Sequence, residues 1–318
     1  MSAPATAAPS FVREGILIDR RTFLALASAA LAAPALAGGN ALQGRIETLR
    51  PLAPGDPFEP RVRIWLPPGY EGGKISYRTL YMLDGQFVFA SDSDGVNFAA
   101  DRRIAQLAAA GRIQPTIIVA IDNLKADRFL QYMPQTIYDQ SEGSLRAAID
   151  RELARSGGRP LVSAPFIHFV ATRLKPVVDA RYRTKPGRLD TAIFGASMAG
   201  LMAGAIFVEA QQAFGLAGCM SPNWPIYDER MIEHPQLLSL WPDYFARLGA
   251  PGGRRLWLDH GTQMMDAGMA PHQAAIAKRL VELGWRRGCD LETRIYQAGH
   301  AFADTAVQMD DLLVWLLA

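Results

Sequence analysis

The sequence predicts an α/β fold with a mostly parallel central sheet and helices on both faces. Three observations predict it. Short uncharged apolar runs alternate with longer stretches of helical periodicity, as parallel strands and their crossover helices do. Gln86, Ser197, Trp224, Asp259, Asp266 and His300 all fall just after such runs, and sites in parallel sheets lie beyond the carboxyl ends of the strands. Finally, residues 191–204 read as a strand, a sharp turn and a helix around Ser197.

Each element has its own warrant. Residues 38–60 are rich in Gly and Pro, with a first strand at 45–49. Val62-Arg-Ile-Trp-Leu66 alternates and is closed by Pro67-Pro68-Gly69, a strand and a turn. Residues 79–83 are continuously apolar and run into Asp84-Gly85-Gln86. A helix is expected over 98–110, stopped by Gly111, and a buried β-branched strand over 115–121. Residues 122–163 read as polar and irregular. The apolar face of Phe166, Phe169, Val170, Leu174 and Val177/Val178 predicts one helix over 165–182. After the serine helix come a strand at 214–220 and a Pro/Trp-rich excursion to Gly253. A strand at 255–259, a helix at 271–283, a strand at 290–296 and a closing amphipathic helix at 305–317 follow. No internal repeat or low-complexity segment follows the leader.

The chain has 318 residues, 49% of them hydrophobic, and a formal net charge of +2. That suits a soluble protein with a sizeable core, and nothing in the charge points to nucleic acid or an anionic membrane. Residues 1–37 read as a twin-arginine-type signal peptide with an N-terminal extension. Arg20-Arg21-Thr22-Phe23-Leu24 opens an apolar run, Pro34 interrupts it, and Ala35-Leu36-Ala37 resembles a cleavage site. The run is too short and alanine-rich for a stable membrane anchor. The expectation is a protein handled by the twin-arginine export machinery, periplasmic or secreted, with one domain over 38–318. Cys219 and Cys289 are the two cysteines. Each borders an apolar run, and two buried, reduced thiols are expected. Nothing in the sequence sets an oligomeric state.

The stretch Ile193-Phe-Gly-Ala-Ser197-Met-Ala-Gly200 resembles a nucleophile elbow, G-x-S-x-G, in which small residues let strand and helix close on each other. Its last glycine is replaced by Ala199. Such a serine needs a base, a group to orient that base, and oxyanion donors. In the α/β-hydrolase order the acid and then the histidine follow the serine. His300, after the last strand, is the expected base, with His260 the competitor. Asp266 is favoured as the acid over Asp259, because its loop is long enough to turn back toward His300. The backbone N–H groups of Met198 and Gln86 are the expected oxyanion donors. Arg128, Tyr132, Trp224 and Phe302 are candidates for contact with substrate. No metal or cofactor motif is present: there is no phosphate loop, G-x-G-x-x-G, H-E-x-x-H or paired-cysteine pattern. Met264, Met265 and Met269 read as packing before pocket lining.

With these residues in view, the chain resembles the putative-esterase (esterase D-like) family of α/β-hydrolases over nearly all of its length after the leader. Tyr81-Met-Leu-Asp-Gly-Gln86 is similar to that family's oxyanion loop. Ala120-Ile-Asp-Asn123, Arg128 and Tyr132-Met-Pro134 resemble its G-I-x-N…R…E-Y-x-P stretch. Leu174-Lys-Pro176, Tyr182-Arg-Thr184, Ser221-Pro-Asn-Trp-Pro225, Leu258-Asp-His-Gly-Thr262 and Met265-Asp-Ala267 match further segments in the same order. The resemblance implies a carboxylic ester hydrolase with a Ser-Asp-His triad and no metal. Its substrate would be a small acyl, acyl-sugar or siderophore-type ester. Two departures stand out: Ala199 in the elbow, and Gln263 where many relatives carry an acidic residue. They keep open a catalytically weak protein that binds such esters. Secreted relatives with acyltransferase activity keep open transfer to an acceptor other than water.

Overall fold

An eight-stranded sheet in the order β1-β2-β4-β3-β5-β6-β7-β8 carries every other element in this computed structural model, which describes residues 43–52, 59–226 and 232–318. The strands are β1 (Arg45–Thr48), β2 (Val62–Leu66), β3 (Arg78–Leu83), β4 (Thr116–Ile121), β5 (Thr191–Ala196), β6 (Leu216–Met220), β7 (Arg255–Gly261) and β8 (Leu291–Tyr296). The pairings β1–β2 and β2–β4 are antiparallel; all the others are parallel. The central strands are apolar on both sides because both faces of the sheet are covered. Tyr81, Leu83, Ile117, Val119 and Ile193 face one core. Their neighbours Leu80, Met82, Ile118, Ala120, Ala192 and Phe194 face the other, as the two-residue period of a strand requires. Each such large side chain, fully buried, contributes about 1.5–3 kcal/mol.

The helices are α1 (Ala100–Ala109), α2 (Arg128–Tyr132), α3 (Gln135–Gln140), α4 (Gly143–Arg155), α5 (Ser163–Phe169), α6 (Lys175–Arg181), α7 (Met198–Glu209), α8 (Leu237–Ala246), α9 (Ala270–Glu282) and α10 (Phe302–Leu317). In α7 every residue from Ala199 to Val208 is buried. A helix apolar all round must lie within the core. Helices α1 and α10 pack on the opposite face, where Ile104, Leu107, Met309 and Leu313 join the second core. The methyl groups of Leu312 and Leu316 lie close enough to Gly218 of β6 that a Cβ there would meet both at 3.0 Å.

Three expectations about elements need correcting. Residues 122–163 are not irregular: they hold α2, α3 and α4. In α4 the buried residues Leu145, Ala148 and Ile149 fall at the i, i+3, i+4 spacing of an amphipathic helix, a stripe short enough to be hidden among charges. The single helix expected over 165–182 is broken by a π-type turn, Val170–Leu174, before α6. Pro176 has no N–H to return to the preceding turn, and a widened turn is one way to absorb that loss. The excursion after β6 contains α8, with Pro242 inside it.

Both cysteines are unpaired. Cys219 is buried, and burial pushes its thiol up. Cys289 is exposed, against expectation. It lies in the turn before β8, after the apolar packing of α9 has ended. The signal-peptide assignment for residues 1–37 lies outside the described residues.

Candidate active site

Ser197 stands between β5 and α7 with φ 59° and ψ −127°, a conformation that non-glycine residues adopt only where the surroundings enforce it. The enforcement is visible at the crossing. A Cβ on Gly195 would lie 2.0 Å from the Ala199 carbonyl oxygen, so strand and helix approach as closely as backbone allows. Ser197 donates its N–H to the Met220 carbonyl at 3.0 Å, and its own carbonyl accepts the N–H groups of Gly200 and Leu201. The Ala199 methyl is completely buried and belongs to the first core.

The Ser197 hydroxyl meets His300 Nε2 at 2.8 Å. On the far side of the ring, His300 Nδ1 lies 2.5 Å from Asp266 Oδ1. Asp266 and Ser197, 34 and 103 positions from His300 in the chain, thus form one hydrogen-bonded line with it. His300 sits in the turn between β8 and α10. The Asp304 carboxylate, in the first turn of α10, accepts the N–H groups of Gly299 (3.1 Å) and Ala301 (3.3 Å) on either side of it. Asp304 was not foreseen; an acidic residue in a helix's first turn is the only signal, and a common one.

Asp266 is fully buried. Its second oxygen accepts the Ser221 hydroxyl at 2.7 Å and the Gly261 N–H at 2.9 Å. Burial pushes this carboxyl up, but the hydrogen bonds from His300, Ser221 and Gly261 outweigh it and leave the group below its usual range. Gly261 is required here: a Cβ would lie 2.1 Å from the Ala298 carbonyl oxygen. Asp259, the alternative acid, does not reach His300. It accepts Trp257 Nε1 at 2.6 Å and the Ser221 N–H at 2.8 Å. Buried completely, it is pushed up to about 7 by desolvation, against those two hydrogen bonds. Gln263 contributes backbone only, donating to the Ala298 carbonyl and accepting the Asp266 N–H. The competing histidine, His260, is buried with Nδ1 on the Gly261 carbonyl.

The turn carrying Gln86 is held from four sides. Tyr132 Oη accepts the Asp84 N–H at 3.1 Å. Arg128 grips the Asp84 carboxylate with two bonds, 3.0 and 2.7 Å. Asn123 Nδ2 donates to the same carboxylate at 2.6 Å, and the Asn123 N–H donates to Gln86 Oε1 at 3.1 Å. Buried Arg63 donates to the Gly85 carbonyl at 2.6 Å and pairs with Asp92. A Cβ on Gly85 would come within 2.6 Å of the Asp122 nitrogen, so glycine is needed where the turn crosses the end of β4. Met198 opens α7, and first-turn N–H groups have no partner inside their own helix.

Ser197 and His300 open into a pocket of about 510 Å³. Phe87, Phe98 and Phe302 form an aromatic part of its wall, with Phe302 at 5.5 and 4.8 Å centroid distance from the other two. Asn123, Lys125 and Ser221 also line it. Of the residues expected to meet substrate, Phe302 and Arg128 reach the pocket, though the Arg128 guanidinium is engaged by Asp84. Tyr132 and Trp224 do not line it. Tyr132 is fully buried as a support of the Asp84 turn. Trp224 is fully buried against Trp241 and Phe245. An aromatic residue near a strand end reads alike in either role, and core packing took both. The methionines do not line the pocket either: Met264 is 80% exposed and Met269 belongs to the core. Among the described residues no group of three or more His, Cys, Asp or Glu is placed to hold a metal ion. No described helix is long and apolar enough to cross a membrane.

Comparison with known proteins adds a family. The family model described as "Putative esterase" matches residues 57–315. No curated protein matches the sequence. Among solved structures, a ferulic acid esterase is similar at TM-score 0.56 and 17% identity, over 87% of this chain and 98% of that one. An IroE-like serine hydrolase from Shewanella oneidensis is similar at TM-score 0.59 and 16% identity, over 86% and 79%. The enterobactin esterase of Shigella flexneri is similar at TM-score 0.57 and 16% identity, over 87% of this chain and 61% of that one. At these identities the structures establish the α/β-hydrolase fold.

Proposed function

This chain belongs to the putative esterase family and is a carboxylic ester hydrolase, and from that premise we propose that it is a serine esterase working through an acyl-enzyme. The observation that carries this reading is the line Ser197 Oγ–His300 Nε2–Asp266 at 2.8 and 2.5 Å, opening into the pocket. Ser197 Oγ attacks the ester carbonyl as His300 Nε2 takes its proton. Asp266 fixes the tautomer and orientation of the ring and stabilises the imidazolium. The carbonyl oxygen, now negative, is received by the N–H groups of Gln86 and Met198. Collapse breaks the bond to the alcohol, which leaves with the proton from His300. Water, deprotonated by His300, then attacks the acyl-enzyme, and Ser197 departs with the proton restored.

The pocket suits a small ester, and its three phenylalanines favour an aromatic or branched apolar portion. Acyl-sugar and siderophore-type esters fall within that class. The test is turnover of p-nitrophenyl acetate and butyrate, beside mass spectrometry after fluorophosphonate treatment. A single adduct on Ser197, and loss of turnover by roughly 10⁶-fold in Ser197→Ala, are expected. Undiminished turnover in that variant would remove Ser197 from the mechanism.

We also propose that the protein is exported by the twin-arginine route to the periplasm or beyond and is cut near Gly38. The Arg20-Arg21 pair and Ala35-Leu-Ala37 support this. Replacing both arginines by lysine should leave a full-length precursor in the cytoplasmic fraction. Unchanged processing in that variant would refute the route.

A further inference from the structure

We propose that the pocket selects esters bearing a carboxylate or similar anion, and that Lys125 receives the charge; this rests on the serine esterase reading above. The argument is a balance of charges. Four ionic side chains stand in or beside the pocket on the loop from β4 to α2, the first residue of α2 and the turn they face: Asp84, Asp122, Lys125 and Arg128. A fifth, Asp127, follows within the loop. Every carboxylate among them already has a cation. Asp84 is gripped by Arg128, Asp122 pairs with Arg61 at 2.7 Å, and Asp127 accepts Arg159 at 2.7 Å. Lys125 is the cation left over. It lines the pocket with Ser197 and His300, is exposed, and makes no ion pair among the described residues.

Its backbone is fixed where its side chain is free. Lys125 has φ 54°, a left-handed conformation that disfavours a long side chain. Asn123 imposes it: the Asn123 Oδ1 accepts the Lys125 N–H at 2.8 Å while its Nδ2 holds Asp84. This is an Asx-turn, in which a short amide stands in for a backbone turn. The same asparagine N–H holds Gln86 Oε1. One side chain therefore ties the position of Lys125 to that of the turn carrying the Gln86 N–H. A glycine would satisfy the turn more cheaply; the lysine adds a positive charge to a wall whose other two ionic side chains, Asp84 and Arg128, pair with each other.

The experiment compares three esters: p-nitrophenyl acetate, mono-p-nitrophenyl succinate with its carboxylate on the acyl part, and para-acetoxybenzoate with its carboxylate on the alcohol part. The readout is kcat/KM for each charged ester divided by that for the neutral one. For at least one charged ester, Lys125→Ala should lower this ratio about threefold and Lys125→Glu about tenfold, as a rim charge pair warrants. The change should appear in KM, shrink at high salt, and be absent in Lys125→Arg. Whichever charged ester responds tells on which side of the scissile bond the anion sits. Equal ratios in all four proteins for both charged esters, with the neutral ester still turned over, would overturn the selection and leave the serine esterase reading standing. Failure of the wild-type protein to hydrolyse any of the three would overturn both.

Discussion

At the scale of single residues, His300, the proposed base, is held both through its ring and through the turn that carries it. His300 is bonded through both ring nitrogens, and its flanking N–H groups are both taken by Asp304. Asp304 touches no reacting atom, so it is a positioning residue. In Asp304→Ala, kcat should fall by roughly 10- to 100-fold through misplacement of the ring. Asp304→Asn, which keeps one acceptor oxygen, should lose less. Similar kcat in all three proteins would show that the turn holds without the carboxylate. Asp266→Asn strikes harder, because an amide can hold the ring in the wrong tautomer; a loss of about 10⁴-fold in kcat is expected. The hydrogen-bonded line of Ser197, His300 and Asp266 was legible because each of the three follows a strand in the right order. Asp304 and Ser221 were not: Asp304 reads as an ordinary acidic residue in a helix's first turn, and the bonds of Ser221 cross between loops that no spacing brings together. The Ser221 hydroxyl on Asp266 and its N–H on Asp259 exist only because β6 and β7 are neighbours.

At the scale of elements, the crossing of β5 and α7 decides whether the serine can be presented at all. The carbonyl of Ala199 occupies the space a side chain at 195 would need. In Gly195→Ala the helix must be driven off the strand, and overpacking of this kind costs about 1–3 kcal/mol or more. A large fall in the urea midpoint, or no soluble protein, is the expected result; a midpoint within error of wild type would mean that strand and helix can part at little cost. Ala199→Gly, by contrast, should cost only about 0.5–1 kcal/mol, the price of a glycine in a helix. The strands were legible almost residue by residue, because a strand covered on both faces is an uncharged run with clear ends. The helices were less so. Those on the serine side between β4 and β5 are short, interrupted and charged, and in α2 and α3 the periodic signal spans hardly more than a turn. The π-type turn at Val170–Leu174 could not be read from an apolar stripe, which it leaves unbroken.

At the scale of the whole molecule, two buried carboxylates joined through Ser221 tie stability to pH in opposite senses. The parallel sheet and its two cores follow from the alternation of apolar runs and helices. The consequence of placing Asp259 and Asp266 side by side does not, because sequence carries no information on desolvation. Asp266 has a folded pKa below its unfolded value of about 3.9. Its contribution is complete above that value and is lost as pH falls through the folded one. Asp259 runs the other way. With a folded pKa of about 7, the native state holds a proton between about pH 4 and 7 that the unfolded chain has released. Stability from this group therefore falls as pH rises across that window, since the unfolded state then binds fewer protons than the native. Urea midpoints of the wild-type protein should carry this downward slope. In Asp259→Asn the slope should flatten. Absolute stability should drop as well, because an amide nitrogen would then face Trp257 Nε1 or the Ser221 N–H, donor against donor. A slope that persists unchanged in the variant would assign the pH dependence to other groups and return Asp259 to the ordinary carboxylate range.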